Sequence, residues 1–132
     1  MEILIHVDEK KLDKNMQQAV DEYIKRTSPY CKVIIKCYKD INKISFKASS
    51  MVYIITPGCD SPTSPGLAKL IEDNNLNGIS CIEFVITNNY NYNKQQNYNI
   101  FNISSFSMSS QLTSVVLAEQ IYRAYTIMNN IT

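Results

Sequence analysis

The spacing of apolar residues in the last part of the chain predicts a long amphipathic helix. Ser109 and Ser110 precede it, and a serine oxygen at such a position accepts hydrogen bonds from the first free N–H groups of a helix. Glu119 and Arg123 lie four positions apart, so we expect them to pair on the helix surface. The apolar positions that recur at helical spacing are expected to form one buried face: Leu112, Val115, Val116, Ile121, Tyr122, Tyr125 and Met128.

Upstream of this helix, the apolar pattern alternates between strands and helices. A buried strand is predicted over residues 2–7, and an amphipathic helix over residues 10–27 ends before Pro29. The inward face of that helix is expected to hold Leu12, Met16, Ala19, Val20, Tyr23 and Ile24. Further strands are predicted over residues 31–38, 51–56, 81–86 and 99–104, with a short helix over 66–74. This order predicts an α/β domain with a mainly parallel five-stranded sheet flanked by helices.

Length and composition indicate one ordinary globular domain spanning residues 1–132. The chain has 132 residues, of which 45% are hydrophobic and 19% charged, enough for one core but not for two. No apolar run approaches the length of a membrane span, and the start of the chain does not resemble a signal peptide. We therefore expect a cytoplasmic protein without a membrane partner.

The cysteines and the single histidine predict neither disulfides nor a metal site. Cys31, Cys37, Cys59 and Cys81 are scattered without CxxC spacing, so reduced thiols are expected. His6 is the only histidine, which leaves a zinc site short of good ligands. Because His6 lies inside a predicted buried strand, we interpret it as a structural residue.

Basic residues are concentrated in the first third of the chain. Residues 9–47 carry ten lysines or arginines against five acidic residues, although the net charge of the whole chain is only +1. Two interpretations remain open: a surface that contacts a phosphate backbone, and an ordinary solvated helix face. The candidate RNA-binding residues are Lys10, Lys11, Lys14, Arg26 and Arg123.

Three short motifs resemble one known family. They are Glu119 to Ala124 (Glu-Gln-Ile-Tyr-Arg-Ala), Ala19 to Tyr23 followed by Lys25-Arg26, and Thr56-Pro57-Gly58 followed by Gly66-Leu67-Ala68. Together they resemble the RlmH family of SPOUT methyltransferases, which methylate a pseudouridine of large-subunit ribosomal RNA with S-adenosylmethionine. The resemblance implies a SPOUT-type fold with a C-terminal trefoil knot, a homodimer, and ribosomal RNA or the ribosome as partner. Residues 39–50 replace a longer, charged insertion of that family.

The same resemblance implies a binding site for S-adenosylmethionine at three loops. In open α/β sheets, ligands bind beyond the carboxyl ends of the strands. The loops follow the third strand, the fourth strand and the fifth strand. The implied cofactor-binding residues are Ile54, Gly58, Thr87, Asn88, Ile103, Ser104 and Phe106, and no catalytic residue is assigned.

Several positions depart from the family pattern. Thr87, Asn88 and Asn91 stand where the family has a Gly-Gly-x-x-Gly run, and added side chains there are expected to crowd the cofactor. Ser114 replaces an arginine, and Ile131-Thr132 stands where a Tyr-His-Lys tail is expected. Three functions therefore remain open: an active RlmH-like methyltransferase, an inactive homologue that retains RNA or cofactor binding, and a dimeric scaffold without a cofactor.

Overall fold

The computed structural model describes residues 1–57, 64–87, 99–104 and 108–130. Its strands and helices follow one another in the predicted alternation. The elements are β1 (Glu2–Val7), α1 (Lys14–Thr27), β2 (Lys32–Cys37), β3 (Met51–Pro57), α2 (Ser64–Leu76), β4 (Cys81–Ile86), β5 (Asn99–Ser104) and α3 (Ser110–Met128). One turn of 3-10 helix, Ile41–Lys43, lies between β2 and β3.

The five strands form one sheet in the order β2-β1-β4-β3-β5, and every pairing is parallel. This arrangement confirms the predicted α/β class. The β1-to-β2 and β3-to-β4 connections step in the same direction along the sheet, so right-handed crossovers place α1 and α2 on one face. The β2-to-β3 connection runs the other way and lies on the opposite face.

The helices bury the larger core against their face of the sheet. Val20 of α1, Leu67 and Ile71 of α2, and Leu117 and Ile121 of α3 are all at most 1% exposed and belong to one cluster with β1 and β4. Helix α3 contacts both α1 and α2. Most of the tertiary packing of this face therefore depends on α3.

The opposite face is covered by residues 38–50, which we call the strap. Ile41 of the strap is buried with Val52, Ile54 and Val85 of the sheet, and Tyr38, Ile44 and Phe46 pack against them. The segment is polar in composition, yet its large apolar side chains, Tyr38, Ile41, Ile44 and Phe46, pack in this cluster.

The first helix begins later than predicted. Its first residue is Lys14 rather than residue 10, and Asp13 is its N-cap. Lys10 and Lys11 therefore lie in the connection after β1, not on a helix face. The prediction of the start was wrong because these lysines are good helix formers, and helix propensity does not mark where the chain leaves the strand.

The predicted buried face of α3 was also wrong in part. Leu112 is 40% exposed, and Val115, Val116, Tyr122 and Met128 are only partly buried. The buried residues of α3 are instead mostly small: Ser110, Thr113, Ser114, Leu117, Ala118, Ile121, Ala124 and Tyr125. Small side chains let the helix lie close to α1 and α2, and a pattern of bulky apolar residues does not detect them. The Ser109 cap was confirmed, because its side chain accepts from the N–H of Leu112 at 3.1 Å.

The predicted knot depends on segments outside the described residues. The paths of residues 58–63, 88–98 and 105–107 decide whether the C-terminal segment passes through a loop. The knot therefore stays a prediction. Among the described helices, none combines the length and hydropathy needed to cross a membrane.

Candidate active site at the carboxyl edge of the sheet

The carboxyl ends of β1 and β4 are joined by hydrogen bonds. The N–H of Asp8 donates to the carbonyl oxygen of Ile86 at 2.9 Å. The Thr87 hydroxyl donates to Oδ2 of Asp8 at 2.7 Å, and Thr87 is 5% exposed. Sequence reasoning did not select Asp8, since its only signal was an acidic residue directly after a buried strand. Because of its hydrogen bond to Asp8, the Thr87 hydroxyl points toward the end of β1.

The ends of β3 and β5 are joined in a similar way. The Thr56 hydroxyl donates to Oδ1 of Asn102 at 2.8 Å. The strand register shifts between Thr56 and Pro57, so that Pro57 lies opposite Ser104. Such an irregularity redirects the chain as it leaves the sheet. Four strands therefore end at one edge, where the two hydroxyl groups of Thr56 and Thr87 are hydrogen-bonded to residues of neighbouring strands.

Helices α1 and α3 begin at this same edge. The side-chain oxygen Oε1 of Gln111 accepts from the N–H of Asp13, the N-cap of α1, at 2.6 Å. The Ser114 hydroxyl donates to the carbonyl oxygen of Gln111 at 2.6 Å, and Ser114 is fully buried. Helix N-termini carry unpaired N–H groups and partial positive charge. This edge therefore combines strand ends with two helix starts.

The implied cofactor-binding residues are not all brought to one surface. Ile54 is buried under the strap, whereas Ile103 packs against the core on the helix face, so their side chains lie on opposite faces of the sheet. Thr87 lies at the carboxyl edge, and the main chain of Ser104 ends β5 there. Gly58, Asn88 and Phe106 lie outside the described residues.

The predicted RNA-binding residues form two groups. Lys10, Lys11 and Lys14 are exposed near the carboxyl edge, at the start of α1. Arg26 lies in the last turn of α1, about 18 Å along the helix axis from Lys14. Its Nε donates to Glu22 at 2.9 Å, a pair that was not predicted. Arg123 donates through Nε to Glu119 at 2.8 Å, as the spacing of these two residues predicted. Both arginines are thus partnered within their own helices.

A buried polar cluster lies between the sheet and the strap. Nε2 of His6 and Oε1 of Glu83 are 2.8 Å apart, and both residues are at most 1% exposed. Nδ1 of His6 is 2.8 Å from the Tyr38 hydroxyl. The other Glu83 oxygen, Oε2, accepts from the N–H of Lys47 at 2.9 Å and from the Ser50 hydroxyl at 2.5 Å. The buried carboxyl group of Glu83 therefore anchors the C-terminal end of the strap, and His6 anchors its start through Tyr38.

Burial favours a neutral imidazole at His6. Burial lowers the pKa of His6 below its ordinary value of 6.5, although Glu83 acts in the opposite direction. A neutral ring that donates through Nε2–H to Glu83 accepts at Nδ1 from the Tyr38 hydroxyl. Burial likewise raises the pKa of Tyr38, which keeps that hydroxyl protonated. This environment agrees with the interpretation of His6 as a structural residue. Its partner Glu83 was not selected from the sequence, although it is the one acidic residue in an otherwise apolar strand.

The lowered pKa of His6 predicts acid destabilisation. Below pH 6.5 the imidazole of His6 is protonated more readily in the unfolded chain than in the folded protein. The free energy of unfolding should therefore decrease as the pH is lowered, by up to about 1.4 kcal/mol per pH unit. His6 is the only histidine, so a titration followed by the NMR signal of its imidazole isolates it. We expect a midpoint below 6.5 and a weaker pH dependence of unfolding in His6→Gln. A midpoint above 6.5 would contradict the assignment.

No grouping of three or more histidine, cysteine or acidic side chains suited to a metal ion is present among the described residues. Cys31, Cys37 and Cys81 are free thiols, and Cys59 lies outside the described part of the chain. Burial raises the pKa of each of the three thiols, which keeps them protonated. These cysteines are therefore poor nucleophiles and poor metal ligands.

The chain is similar to a known family and to several known proteins over nearly its full length. The family described as "Predicted SPOUT methyltransferase" matches residues 1–132. The chain is 32% identical over 132 residues to "Ribosomal RNA large subunit methyltransferase H 1" of Thermoanaerobacter sp. (strain X514), covering 98% of this chain and 96% of the relative. It is 33% identical over 153 residues to "Ribosomal RNA large subunit methyltransferase H" of Clostridium novyi (strain NT), covering 96% and 95%.

Proposed function

Because the chain belongs to the SPOUT methyltransferases, and within them to the RlmH family, we propose that it transfers a methyl group from S-adenosylmethionine to ribosomal RNA. The observation that carries the proposal is the match to curated relatives over nearly the full length of both chains. The target within the RNA is proposed to be a pseudouridine of the large subunit, and the site of action the cytoplasm.

The described strand ends fit a methyl donor that is held by main-chain groups. The Thr87 hydroxyl is bonded to Asp8 and the Thr56 hydroxyl to Asn102, so neither needs a ligand as its partner. Carbonyl and N–H groups beyond β3, β4 and β5 would then hold the donor. S-adenosylmethionine supplies an electrophilic methyl group on its sulfonium. The protein's own contribution would be to orient donor and acceptor for in-line transfer and to exclude water.

A second candidate is a homologue that binds RNA or the donor without catalysis. Two positions favour it. Thr87 stands in the glycine-rich run expected for the family, and its side chain is buried at the edge of the site. Ser114 stands where an arginine is expected for the family. A serine carries no charge, and this side chain is fully buried, so the position offers no contact to an RNA phosphate. No described residue is assigned as the catalytic base.

We also propose a homodimer, as the family resemblance implies. On α3, Leu112 and Ile127 are each 40% exposed, and Val115 and Val116 are partly buried. These exposed apolar side chains flank the Glu119–Arg123 ion pair on the outer face of α3, and such a mixed face is suited to pairing between two copies. Light scattering coupled to size-exclusion chromatography should give about twice the mass of one chain, and a monomer at micromolar concentration would count against the dimer.

The methyl-transfer proposal is tested on ribosomes from a strain that lacks its own RlmH enzyme. We expect label to move from radioactive S-adenosylmethionine to large-subunit RNA, and mass spectrometry of the digested RNA to locate it on one pseudouridine. Calorimetric titration with the donor separates the alternatives. Binding without transfer would support the inactive homologue, and no heat at millimolar donor would leave only the scaffold.

Restoring glycine at the edge of the site should strengthen donor binding. Thr87→Gly combined with Asn88→Gly removes two side chains from the loop, and we expect a lower dissociation constant in the calorimetric titration. Thr87→Ser is the matched control, because it keeps the hydroxyl that donates to Asp8. Unchanged or weaker binding in the double variant would show that side-chain crowding does not limit donor affinity.

A further inference from the structure

We propose that five lysines on the strap side of the sheet form an RNA phosphate-binding surface. They are Lys32, Lys36, Lys39, Lys43 and Lys47, and all five are exposed. We call this set the strap-side lysines. Residues 28–50 contain only one acidic residue, Asp40, beside these five lysines. The surface therefore keeps a net positive charge even with Glu2, which contacts Lys32 and Lys47, and it differs from the RNA-binding residues predicted from the sequence.

Strand register places the first two lysines on the strap side. Lys32 pairs with Glu2 and Lys36 pairs with His6 across the parallel β1–β2 ladder. Paired residues of adjacent strands share a face, and His6 faces the strap. Lys32 and Lys36 lie about 13 Å apart along β2 at the usual rise per residue, so they can contact different phosphates of one strand.

The strap that carries the other three lysines is fixed to the sheet. Glu83 accepts hydrogen bonds from Lys47 N–H and from Ser50, while Tyr38 bonds to His6 at the start of the strap. Ile41 is buried against the sheet between these anchors. Lys39 and Lys43 lie on either side of Ile41, exposed on an anchored segment. Less conformational entropy is lost when such positioned charges bind a ligand than when they lie on a free loop.

Three of the strap-side lysines are not neutralised within the described part of the chain. Lys36, Lys39 and Lys43 form no ion pair there, whereas Lys32 and Lys47 share Glu2. The carboxylate of Asp40 accepts from the N–H of Asn42 at 3.0 Å and caps the 3-10 turn. Ammonium groups without an internal partner are available to replace the counterions of a nucleic acid backbone.

The surface also reaches the edge where the reaction is proposed to occur. The N–H of Tyr38 donates to the carbonyl oxygen of Val7 at 3.0 Å, so the strap starts beside the carboxyl end of β1. Lys36 and Lys39 flank this point. An RNA strand lying on the strap side can therefore extend to the carboxyl edge of the sheet without crossing the helices.

The choice of RNA as the partner rests on the proposed function, while the existence of a polyanion-binding surface rests on the lysines alone. The test compares two variants of equal charge change. One replaces Lys36, Lys39 and Lys43 by glutamine, and the other replaces Lys10, Lys11 and Lys14 by glutamine. Binding to a labelled 20-nucleotide single-stranded RNA and to purified large ribosomal subunits is measured over a range of salt concentrations.

We expect the first triple variant to bind RNA about tenfold more weakly at 0.1 M salt, with the salt slope reduced by about 2, because three phosphate contacts are lost. The second triple variant should lose less affinity than the first, because Lys10, Lys11 and Lys14 lie near the carboxyl edge at the start of α1 and not on the strap side. Equal losses in both variants, a loss only in the second, or no loss in either would overturn the proposal. So would a wild-type protein that binds anionic lipid vesicles but not RNA.

The RNA-binding test of the strap-side lysines and the methyl-transfer test of the proposed function can fail independently. Methyl transfer by the wild-type protein tests the proposed function and does not involve the variants. Loss of RNA affinity in the strap-side variant, in a protein that transfers no methyl group, would support the surface and refute the activity. Circular dichroism of both triple variants checks that these exposed substitutions leave the fold intact.

Discussion

Replacing Glu83 by alanine is expected to lower the free energy of unfolding by about 3–5 kcal/mol. The carboxyl group is fully buried and accepts from His6, from Lys47 N–H and from Ser50. Its removal leaves three buried or half-buried donors without an acceptor and opens a cavity beneath the strap. Urea denaturation followed by circular dichroism measures the change.

Two control variants separate the buried network from general effects of charge. Glu83→Gln keeps the size of the side chain and one acceptor oxygen, so an intermediate loss is expected. Glu2→Ala also removes a carboxylate that contacts Lys47, but from an ion pair at the surface, and a much smaller change is expected. If Glu83→Ala were no more destabilising than Glu2→Ala, the cluster would not be what fixes the strap.

The second large effect is expected for Ile121→Ala, at about 2–5 kcal/mol of lost stability. Ile121 is fully buried in the middle of α3, in the core that α3 shares with α1, α2 and the sheet. The substitution removes three carbon atoms from a packed interior, and the surrounding helices relax only partly into the space. The midpoint of urea unfolding should fall while the slope of the transition stays the same.

The same helix offers a matched control for this substitution. Ile127→Ala makes the identical chemical change where the side chain is 40% exposed, and we expect the stability to change by no more than about 0.5–1 kcal/mol. A loss at Ile127 as large as that at Ile121 would contradict burial in the core as the cause, because alanine is the better helix former and propensity alone would favour both substitutions.

The types and order of the elements were largely predictable from the sequence. Residues 81–86 form a strand because apolar and β-branched side chains recur between turn-forming residues, and the observed β4 has the predicted bounds. The short motifs of α1 and α3 predicted the family, which the comparisons confirmed. Local patterns carry this information because strand and helix periods are set by the backbone.

The burial of α3 was less predictable. Leu112 was expected inside and is 40% exposed, whereas Ser114 is fully buried. Which side of a helix faces inward depends on the close approach of α1 and α2, and small residues permit that approach. Of the bulky residues predicted on the buried face, only Ile121 and Tyr125 are buried, whereas Leu112, Val115 and Val116 belong to the face that we propose as the dimer contact.

The polar contacts of the site were the least predictable part. His6 and Glu83 are 77 residues apart in the chain, and Thr87 and Asp8 are 79 apart. Each residue alone had an ordinary interpretation, and only the adjacency of β1 and β4 in the sheet brings the partners together. The expected crowding by Thr87 stays a prediction, although its hydroxyl is now seen bonded to Asp8.

The amino-acid sequence by itself determined the α/β class, the succession of strands and helices, and the family, because each of these depends on spacing within a few neighbouring residues. Only the tertiary structure decided that His6 and Glu83 anchor the strap and that β2 and the strap present their lysines on one side of the sheet. The physical reason is that these relations arise from strand order and register, which bring together residues that no local pattern connects.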